Sequence, residues 1–400
     1  MTTLDYFNPH TFSEILYEKM KRINPGIGEL ELYEFRYALA CVSPENGGWS
    51  SIKPESTDEI IKKVNSSNYY KSIQIKPQVD GEIVLDGTIL HLTQMLFVGL
   101  VTGTYPETWI RTHFYFDIRG FLYLHRTDYF PVSVFEHLGG KPFCHFEEKQ
   151  KEFERCQGIG YKKFMAANME IDQFFIDSVR KLIDVRGTPI ILAIAGPTAA
   201  GKTEIVERLH TAFKQAGKKT TSIEMDNFLT DRDEREARGI DSLGKAALHF
   251  ELFQQNLAQI VRGNKISTPR YNFIDGTSSH RLDGSLKSGC IPVEVKPADI
   301  IFIEGNFPFL LKEVIHLIGI KVVYLTDDDV RMKRKWKRDM DYRMKYDLNY
   351  FCNRYFKDQF LMAETCFIPQ MEVCDMLVHT SGASVWVTPE IGKLLDQQST

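Results

Sequence analysis

The fold is decided by one stretch of the sequence, Gly196-Pro197-Thr198-Ala199-Ala200-Gly201-Lys202-Thr203, which has the pattern G-x-x-x-x-G-K-T. An apolar run over residues 189–195 precedes it, and apolar residues with helical spacing follow it at Ile205, Val206, Leu209 and Phe213. Between a strand and a helix, this motif binds phosphate through successive backbone N–H groups and the helix N-terminus. The sequence therefore predicts a nucleotide-phosphate loop, with a glycine turn that binds nothing as the alternative. In such a loop Lys202 reaches the β- and γ-phosphates and Thr203 ligates Mg²⁺.

The size and composition of the chain fit a globular protein of more than one domain. At roughly 150 residues per domain, 400 residues predict two or three domains. The apolar content of 43% and the charged content of 26% are those of an ordinary soluble protein. The longest apolar segment, residues 88–101, is shorter than the roughly 18 residues that a membrane helix needs. The composition therefore predicts no membrane partner.

The net charge and the cysteines indicate which partners and which cellular compartment to expect. The formal net charge of -4 argues against a general nucleic-acid-binding protein. The seven cysteines include no C-x-x-C pair, which favours reduced thiols. The first five residues, Met1-Thr2-Thr3-Leu4-Asp5, do not begin a basic region followed by an apolar stretch, as a secretion signal would. We therefore expect a cytoplasmic protein.

The second half of the chain alternates apolar strands with amphipathic helices, which is typical of a doubly wound parallel sheet. Strands are predicted over residues 190–195, 221–225, 300–304, 321–325 and 376–379. Helices are predicted over residues 202–216, 247–262, 330–346 and 349–367. Residues 263–295 are rich in Gly, Ser and charge and are expected to form an excursion from this pattern. We assign residues 187–400 to one α/β domain.

The first half has a different pattern and is predicted to be a separate α+β domain over residues 1–180. Two aromatic-rich runs, residues 112–117 and 121–125, predict a hairpin with its turn at residues 118–120. Helices are predicted over residues 11–22, 29–42 and 57–65, the last with a capping box of Ser56 and Glu59. A further helix over 169–185 is expected to link the two domains. Nothing in the sequence indicates the role of the first domain.

Two acidic residues follow predicted strands of the second domain. Asp226 follows the strand 221–225 and faces the crevice where ligands bind in such sheets. It could accept the proton of an attacking hydroxyl or hold Mg²⁺ through water, and the alternative is a turn or helix cap. Glu304 ends the apolar run 300–303, as the acid that orients Mg²⁺ does in phosphate-loop proteins. The alternative is a strand that ends with Glu at a turn, but Lys202 nearby in the predicted fold favours a metal role.

Three arginines, Arg331, Arg334 and Arg338, lie at helical spacing on one predicted helix face. Their charges repel one another unless an anion lies between them, and a triphosphate would supply that anion. The alternative is a basic face in contact with solvent. The acidic residues 327–329 precede the helix, where they suit its dipole.

Taken in order, these motifs resemble those of the uridine kinase and phosphoribulokinase family of P-loop kinases, over about residues 189–379. The matching segments are residues 196–203, 225–228, 269–273, 298–305 and 326–331, with Arg334, Arg338 and Asp339, and a closing segment from 367 to 378. The resemblance implies a P-loop kinase fold that uses ATP and Mg²⁺ to phosphorylate a small-molecule acceptor. It implies that Asp226 is the general base, that Glu304 serves the metal, and that the arginine helix is a lid over ATP. Lys202, Arg334 and Arg338 are then catalytic residues, and Arg331 joins residues 196–203 in binding ATP.

The sequence departs from the family where the acceptor would bind. Asp241-Ser242-Leu243 stands where uridine kinases usually have Asp-His-Pro, and His249 stands where a later Asp is expected. The usual Tyr-Asp pair is Tyr271-Asn272. Arg281 could grip an anionic acceptor, or belong to an exposed loop with a salt bridge. We predict acceptor contacts from Asp241, His249, Tyr271 and Arg281, with a nucleoside as the first choice of acceptor and a sugar phosphate or other small alcohol as the second.

Two other classes of protein remain open at this point. In one, the phosphate loop belongs to an ATP-binding regulatory protein whose first domain recognises a partner. In the other, the protein is a kinase of nucleic-acid ends, although the net charge of -4 counts against it. The sequence also leaves open whether the chain forms a homo-oligomer.

Overall fold

A computed structural model describes residues 6–46, 48–66, 69, 76–77, 83–84, 87–117, 121–155, 168–240, 244–341 and 359–397. The described residues fall into two compact units. The first unit contains the described residues within 1–128, 152–160 and 347–362. The second unit contains those within 129–151, 161–346 and 363–400.

The first unit is mainly helical and contains a short hairpin. Its elements are α1 (Pro9–Ile23), α2 (Leu32–Ala40), α3 (Thr57–Val64), β1 (Lys76–Pro77), β2 (Ile83–Val84), α4 (Gly87–Thr102), α5 (Glu107–His113), β3 (Phe114–Asp117) and β4 (Leu122–His125). Strands β3 and β4 pair antiparallel, as predicted, while the expected turn at 118–120 lies outside the described residues. The capping box of α3 is confirmed, because the Ser56 hydroxyl accepts from the Glu59 N–H and the Glu59 carboxylate accepts from the Ser56 N–H.

Helix α4 forms the core of this unit. Its ring of Phe97 packs against the aromatic rings of Trp49, Phe116, Phe121 and Tyr123, at centroid distances between 5.6 and 6.2 Å. The apolar segment noted in the sequence is therefore a buried core helix. Among the described residues, no helix is long and apolar enough to cross a membrane.

The second unit is built on a seven-stranded sheet with strand order β5-β15-β14-β13-β6-β12-β7. Its strands are β5 (Cys144–His145), β6 (Ile190–Ala195), β7 (Thr220–Glu224), β12 (Ile300–Gly305), β13 (Ile320–Leu325), β14 (Met376–His379) and β15 (Ser384–Val387). The five strands from β14 to β7 are parallel, which confirms the predicted α/β class. Strands β15 and β5 extend the sheet antiparallel at one edge and were not predicted.

The remaining helices complete the described chain; all belong to the second unit except α13 and the end of α7, from residue 152, which belong to the first. They are α6 (Val132–His137), α7 (Glu147–Arg155), α8 (Met169–Arg186), α9 (Lys202–Gln215), α10 (Arg232–Ala237), α11 (Phe250–Val261), α12 (Asp328–Asp341), α13 (Gln359–Met362), α14 (Ile368–Met371) and α15 (Pro389–Gln397), with a π-helical turn at Ala363–Phe367. Helix α11 begins later than predicted, because residues 245–247 form a separate 3₁₀ turn. Helix α12 begins earlier, with Asp328 and Asp329 in its first turn, where carboxylates favour the dipole.

The excursion predicted over residues 263–295 forms two small antiparallel ribbons. They pair β8 (Ile266–Thr268) with β11 (Val293–Val295), and β9 (Tyr271–Asn272) with β10 (Thr277–Ser278). The segment Tyr129–Lys151, which contains β5, and helix α8 also belong to the second unit. The sequence analysis assigned both to the N-terminal domain, and the boundary between residues 180 and 187 stays a prediction.

Candidate active site

The phosphate loop leaves strand β6 and lies directly against strand β13. At Gly196 the backbone φ is 148°, and a Cβ placed there would stand 2.2 Å from the carbonyl oxygen of Tyr324. Gly201 ends the loop with φ 100°, and α9 begins at the next residue. The two glycines are thus required by conformation, and Gly196 also by close packing.

Lys202 holds its ammonium group across the loop. Its Nζ donates to the carbonyl oxygens of Gly196 at 2.8 Å and Pro197 at 3.0 Å, and to Oδ1 of Asn306 at 3.2 Å. Burial lowers the pKa of Lys202, and the carboxylates of Asp226 and Glu304 oppose that shift. The side chain is therefore already oriented toward the place where the motif predicts phosphate.

The side-chain oxygens of Glu304 and Thr203 lie together near Lys202 and could both bind a metal ion. The Thr203 hydroxyl donates to Oε1 of Glu304 at 3.0 Å. The other carboxylate oxygen, Oε2, is buried and has no hydrogen-bond partner among the described residues. Burial raises the pKa of Glu304, since the charged form is desolvated. A hard cation such as Mg²⁺ fits this donor set, because both donors are oxygen atoms and its positive charge would offset the desolvation of the buried carboxylate.

A cavity of about 400 Å³ opens above the loop. Its wall is formed by Thr198, Ala199, Ala200, Gly201, Lys202, Thr203, Glu204, Glu224, Asp226, Phe273, Glu304, Gly305, Asn306, Arg334, Lys337 and Arg338. Asp226 enters from the 3₁₀ turn Met225–Phe228, which follows β7 directly. The structure thus brings Lys202, Thr203, Asp226 and Glu304 together, as the sequence predicted.

Several residues of the wall were not selected from the sequence. Glu224 lies two positions before Asp226, and Asn306 two positions after Glu304, so the strand-end motifs already pointed to both. Partial desolvation in the wall and the neighbouring Asp226 carboxylate raise the pKa of Glu224. Phe273 closes the segment 269–273, which the sequence analysis quoted only for its likeness to the family.

The three arginines of helix α12 do not share one environment. Arg334 and Arg338 line the cavity, and Nη2 of Arg338 donates to the hydroxyl of Thr198 at 3.1 Å. Arg331 is fully buried and is absent from the cavity wall. Arg331 thus lies apart from the two arginines of the cavity wall, and its predicted contact with ATP stays a prediction.

Arg331 is held by protein groups. It donates to the carbonyl oxygens of Thr326 at 2.9 Å and Thr198 at 3.3 Å, and to the hydroxyl of Tyr129 at 2.8 Å. It also forms an ion pair with Asp328, one turn earlier on α12. Arg331 thus supports the backbone of the phosphate loop from beneath.

Of the four predicted acceptor residues, His249, Tyr271 and Arg281 are described and none of them is part of the cavity wall. Asp241 is outside the described residues. His249 is buried, with Nε2 at 3.1 Å from the Ser278 hydroxyl, and burial lowers its pKa to about 4. Tyr271 is buried and its hydroxyl accepts from Arg235 at 3.1 Å, while Arg281 is exposed and donates to Ser285 and Leu286. Acceptor contacts from these three residues therefore stay a prediction.

The phosphate loop, the buried acid on β12 and the basic helix on a parallel sheet define a P-loop kinase. The chain belongs to the phosphoribulokinase / uridine kinase family, whose profile matches residues 191–384. It is 31% identical to the uridine kinase of Clostridium novyi (strain NT) over 160 residues, which cover 39% of this chain and 70% of that protein. It is 27% identical to the uridine kinase of Lactobacillus helveticus (strain DPC 4571) over 198 residues, covering 48% and 88%. A D-glycerate 3-kinase structure from Cryptococcus neoformans aligns over 54% of this chain and 97% of that chain, at 13% identity and a TM-score of 0.39.

Proposed function

We propose that the protein transfers the γ-phosphate of ATP to a hydroxyl group of a small molecule in a magnesium-dependent reaction. The observation that carries this proposal is the convergence of four side chains on one cavity of about 400 Å³: Lys202, Thr203, Asp226 and Glu304. Lys202 and Thr203 begin helix α9, Glu304 lies near the end of β12 and Asp226 directly follows β7, so regular elements hold all four. Family membership supports a small-molecule kinase but leaves the acceptor open.

The chain's own residues divide the work of phosphoryl transfer. Asp226 accepts the proton of the attacking hydroxyl, a role that requires a carboxylate in the cavity and outside the loop. Lys202 and the two cavity arginines, Arg334 and Arg338, offset the charge that develops on the transferred group. When bound, Mg²⁺ would be held by Thr203 and Glu304 and would neutralise phosphate charge.

The wall opposite the loop favours a neutral acceptor. Among the described wall residues outside the loop and α12, four are acidic and none is basic; the acidic ones are Glu204, Glu224, Asp226 and Glu304. A sugar phosphate brought to this side would meet like charges, which is costly in a partly desolvated site. The ring of Phe273 adds a flat apolar surface. A nucleoside, which has both hydroxyls and a flat base, therefore remains the first choice and a sugar phosphate the second.

The test is ADP release from ATP with a panel of nucleosides, sugars, sugar phosphates and small alcohols. We expect stimulation by at least one hydroxyl compound, and a loss on the order of 10²–10⁴-fold in kcat for Asp226→Asn with ATP affinity retained. Asp233→Asn, on α10 and exposed, is the matched control and should leave turnover unchanged.

Two outcomes would contradict the proposal. Near wild-type turnover of Asp226→Asn would remove the base from the mechanism. Tight ATP binding that no acceptor converts into ADP release would instead favour an ATP-binding regulatory protein.

A further inference from the structure

A buried carboxylate on helix α8, outside the cavity, is bonded to two residues that lead to the phosphate loop. Asp172 is 3% exposed. Its Oδ1 accepts a short hydrogen bond from the Tyr324 hydroxyl, and its Oδ2 accepts from Nη1 of Arg208 at 2.6 Å. All three residues belong to the second unit, and Asp172 precedes the family-matched region 191–384.

The first connection runs through Tyr324 on strand β13. A Cβ placed on Gly201 would stand 3.4 Å from the Tyr324 ring and 3.8 Å from Nη1 of Arg334. The backbone carbonyl of the same tyrosine lies beneath Gly196. Tyr324 therefore contacts both ends of the loop, and its ring lies beside a lid arginine.

The second connection runs through helix α9. Arg208 donates from Nη1 to Asp172 and from Nη2 to Oε1 of Glu204 at 2.7 Å. Glu204 directly follows Thr203 and lines the cavity. The guanidinium thus joins a wall residue in the first turn of α9 to the buried carboxylate of α8.

We propose that Asp172 is a positioning residue of the ATP site, which sets the loop and the first turn of α9 through Tyr324 and Arg208. This inference rests on the proposed function, because it assigns the cavity to ATP. Asp172 touches no cavity atom in this arrangement, so it acts through its two partners. Its role should therefore show in ATP affinity, while the transfer step itself is little affected.

The charge of Asp172 is needed for the second connection. Desolvation raises the pKa of Asp172 to about 6, the Tyr324 hydrogen bond and the charges of Arg208 and Arg334 lower it, and Glu204 raises it. An Asn in its place keeps an acceptor for Tyr324 but loses the ion pair with Arg208. Protonation has the same effect, so both changes should loosen Glu204 and the start of α9.

The experiment compares Asp172→Asn with Asp177→Asn in the full chain. Asp177 lies on the same helix and is half-exposed, and its carboxylate accepts from Gln173 and Arg180, both exposed. For Asp172→Asn at pH 8 we expect the Kd for ATP and the KM for ATP to rise on the order of tenfold, with kcat within about twofold of wild type. Loss of a residue that orients a binding group typically has an effect of this size. Asp177→Asn should match wild type.

A pH series and a second variant exclude a purely structural effect. The wild-type Kd for ATP should rise as the pH falls through about 6, the pKa of Asp172, whereas Asp172→Asn should start high and change less. Arg208→Gln should reproduce the effect, and the double variant should be no weaker than either single variant, because both break one connection.

The outcomes separate this inference from the proposed function. A lower melting temperature for Asp172→Asn with unchanged Kd for ATP would overturn the positioning role. Wild-type protein that binds ATP but phosphorylates nothing would refute the kinase and still allow the Kd comparison. Wild-type protein that does not bind ATP would overturn both.

Discussion

Gly196→Ala is the substitution whose effect can be worked out most directly from the structure. The new Cβ would stand 2.2 Å from the Tyr324 carbonyl oxygen, whereas real Cβ contacts are essentially never shorter than 3.0 Å. Loop and strand must therefore separate by about 0.8 Å. The obstacle is a backbone atom of β13, a central parallel strand, so no side-chain rotation relieves the contact. The loop, which carries the phosphate-binding N–H groups, must move instead.

A displacement of this size should cost catalysis heavily. A misplacement of about 1 Å in a binding group can reduce the rate by about 10²-fold. We expect kcat/KM for ATP to fall by about that factor, which corresponds to about 2.7 kcal/mol of transition-state stabilisation. The assays are ADP release under saturating acceptor and calorimetric titration with ATP, where the affinity should fall in parallel.

Gly217→Ala is the matched control. Gly217 follows the end of α9 and has φ 76°, but a Cβ there meets nothing within 4 Å. Gly217→Ala should lower the free energy of unfolding by about 1–2 kcal/mol, because alanine is strained in the left-handed region. The ATP affinity should not change. If Gly196→Ala binds ATP within twofold of wild type, or if both variants lose affinity equally, the close packing of loop and strand does not control ATP binding.

Three further predictions concern other parts of the second unit. Burial raises the pKa of Glu304, so its charged form is desolvated and Glu304→Gln should raise the melting temperature without nucleotide. The same variant should need more Mg²⁺ for half-maximal activity. A lowered melting temperature would show that the buried charge does not destabilise the fold. Tyr129→Phe removes a hydroxyl bonded to Arg331 and should lower stability by about 1–3 kcal/mol, whereas exposed Tyr33→Phe should not, as chemical denaturation can check. Burial keeps His249 neutral, with a folded pKa of about 4 against 6.5 when unfolded, so stability should fall as the pH falls from 6.5 toward 4. His249→Asn should remove up to about 3 kcal/mol of that acid sensitivity, and equal pH slopes for both proteins would contradict this.

The sheet and the loop could be predicted because their signals are local. The parallel strands β6, β12 and β14 are largely buried and apolar in sequence, so they were placed within a residue of their observed bounds. The predicted strand ends also located the acidic residues that lie at or after them. Asp226 and Glu304 thus reached the predicted cavity because strand ends meet at one edge of a parallel sheet.

The rest depended on contacts between distant residues. Helical spacing grouped Arg331 with Arg334 and Arg338, but its burial depends on Tyr129, which lies 202 residues earlier. Strand β5 has only two residues and no pattern of its own. Asp172 is one of several acidic residues on the predicted helix 169–185, and only its contacts with Tyr324 and Arg208 single it out. No motif records such pairings.

Strand β5 shields the outer edge of the sheet. Besides the paired residues of β5 and β15, the N–H of Phe143 donates to the Val385 carbonyl at 2.9 Å, and that of Phe146 to Ala383 at 2.8 Å. A shortened protein that began at residue 187 would keep every proposed catalytic side chain but leave these carbonyls, on and just before the strand Ser384–Val387, without their donors. Bare strand edges of this kind invite pairing between molecules. We therefore expect such a fragment to self-associate and precipitate, so the chain ahead of the kinase motifs also protects solubility.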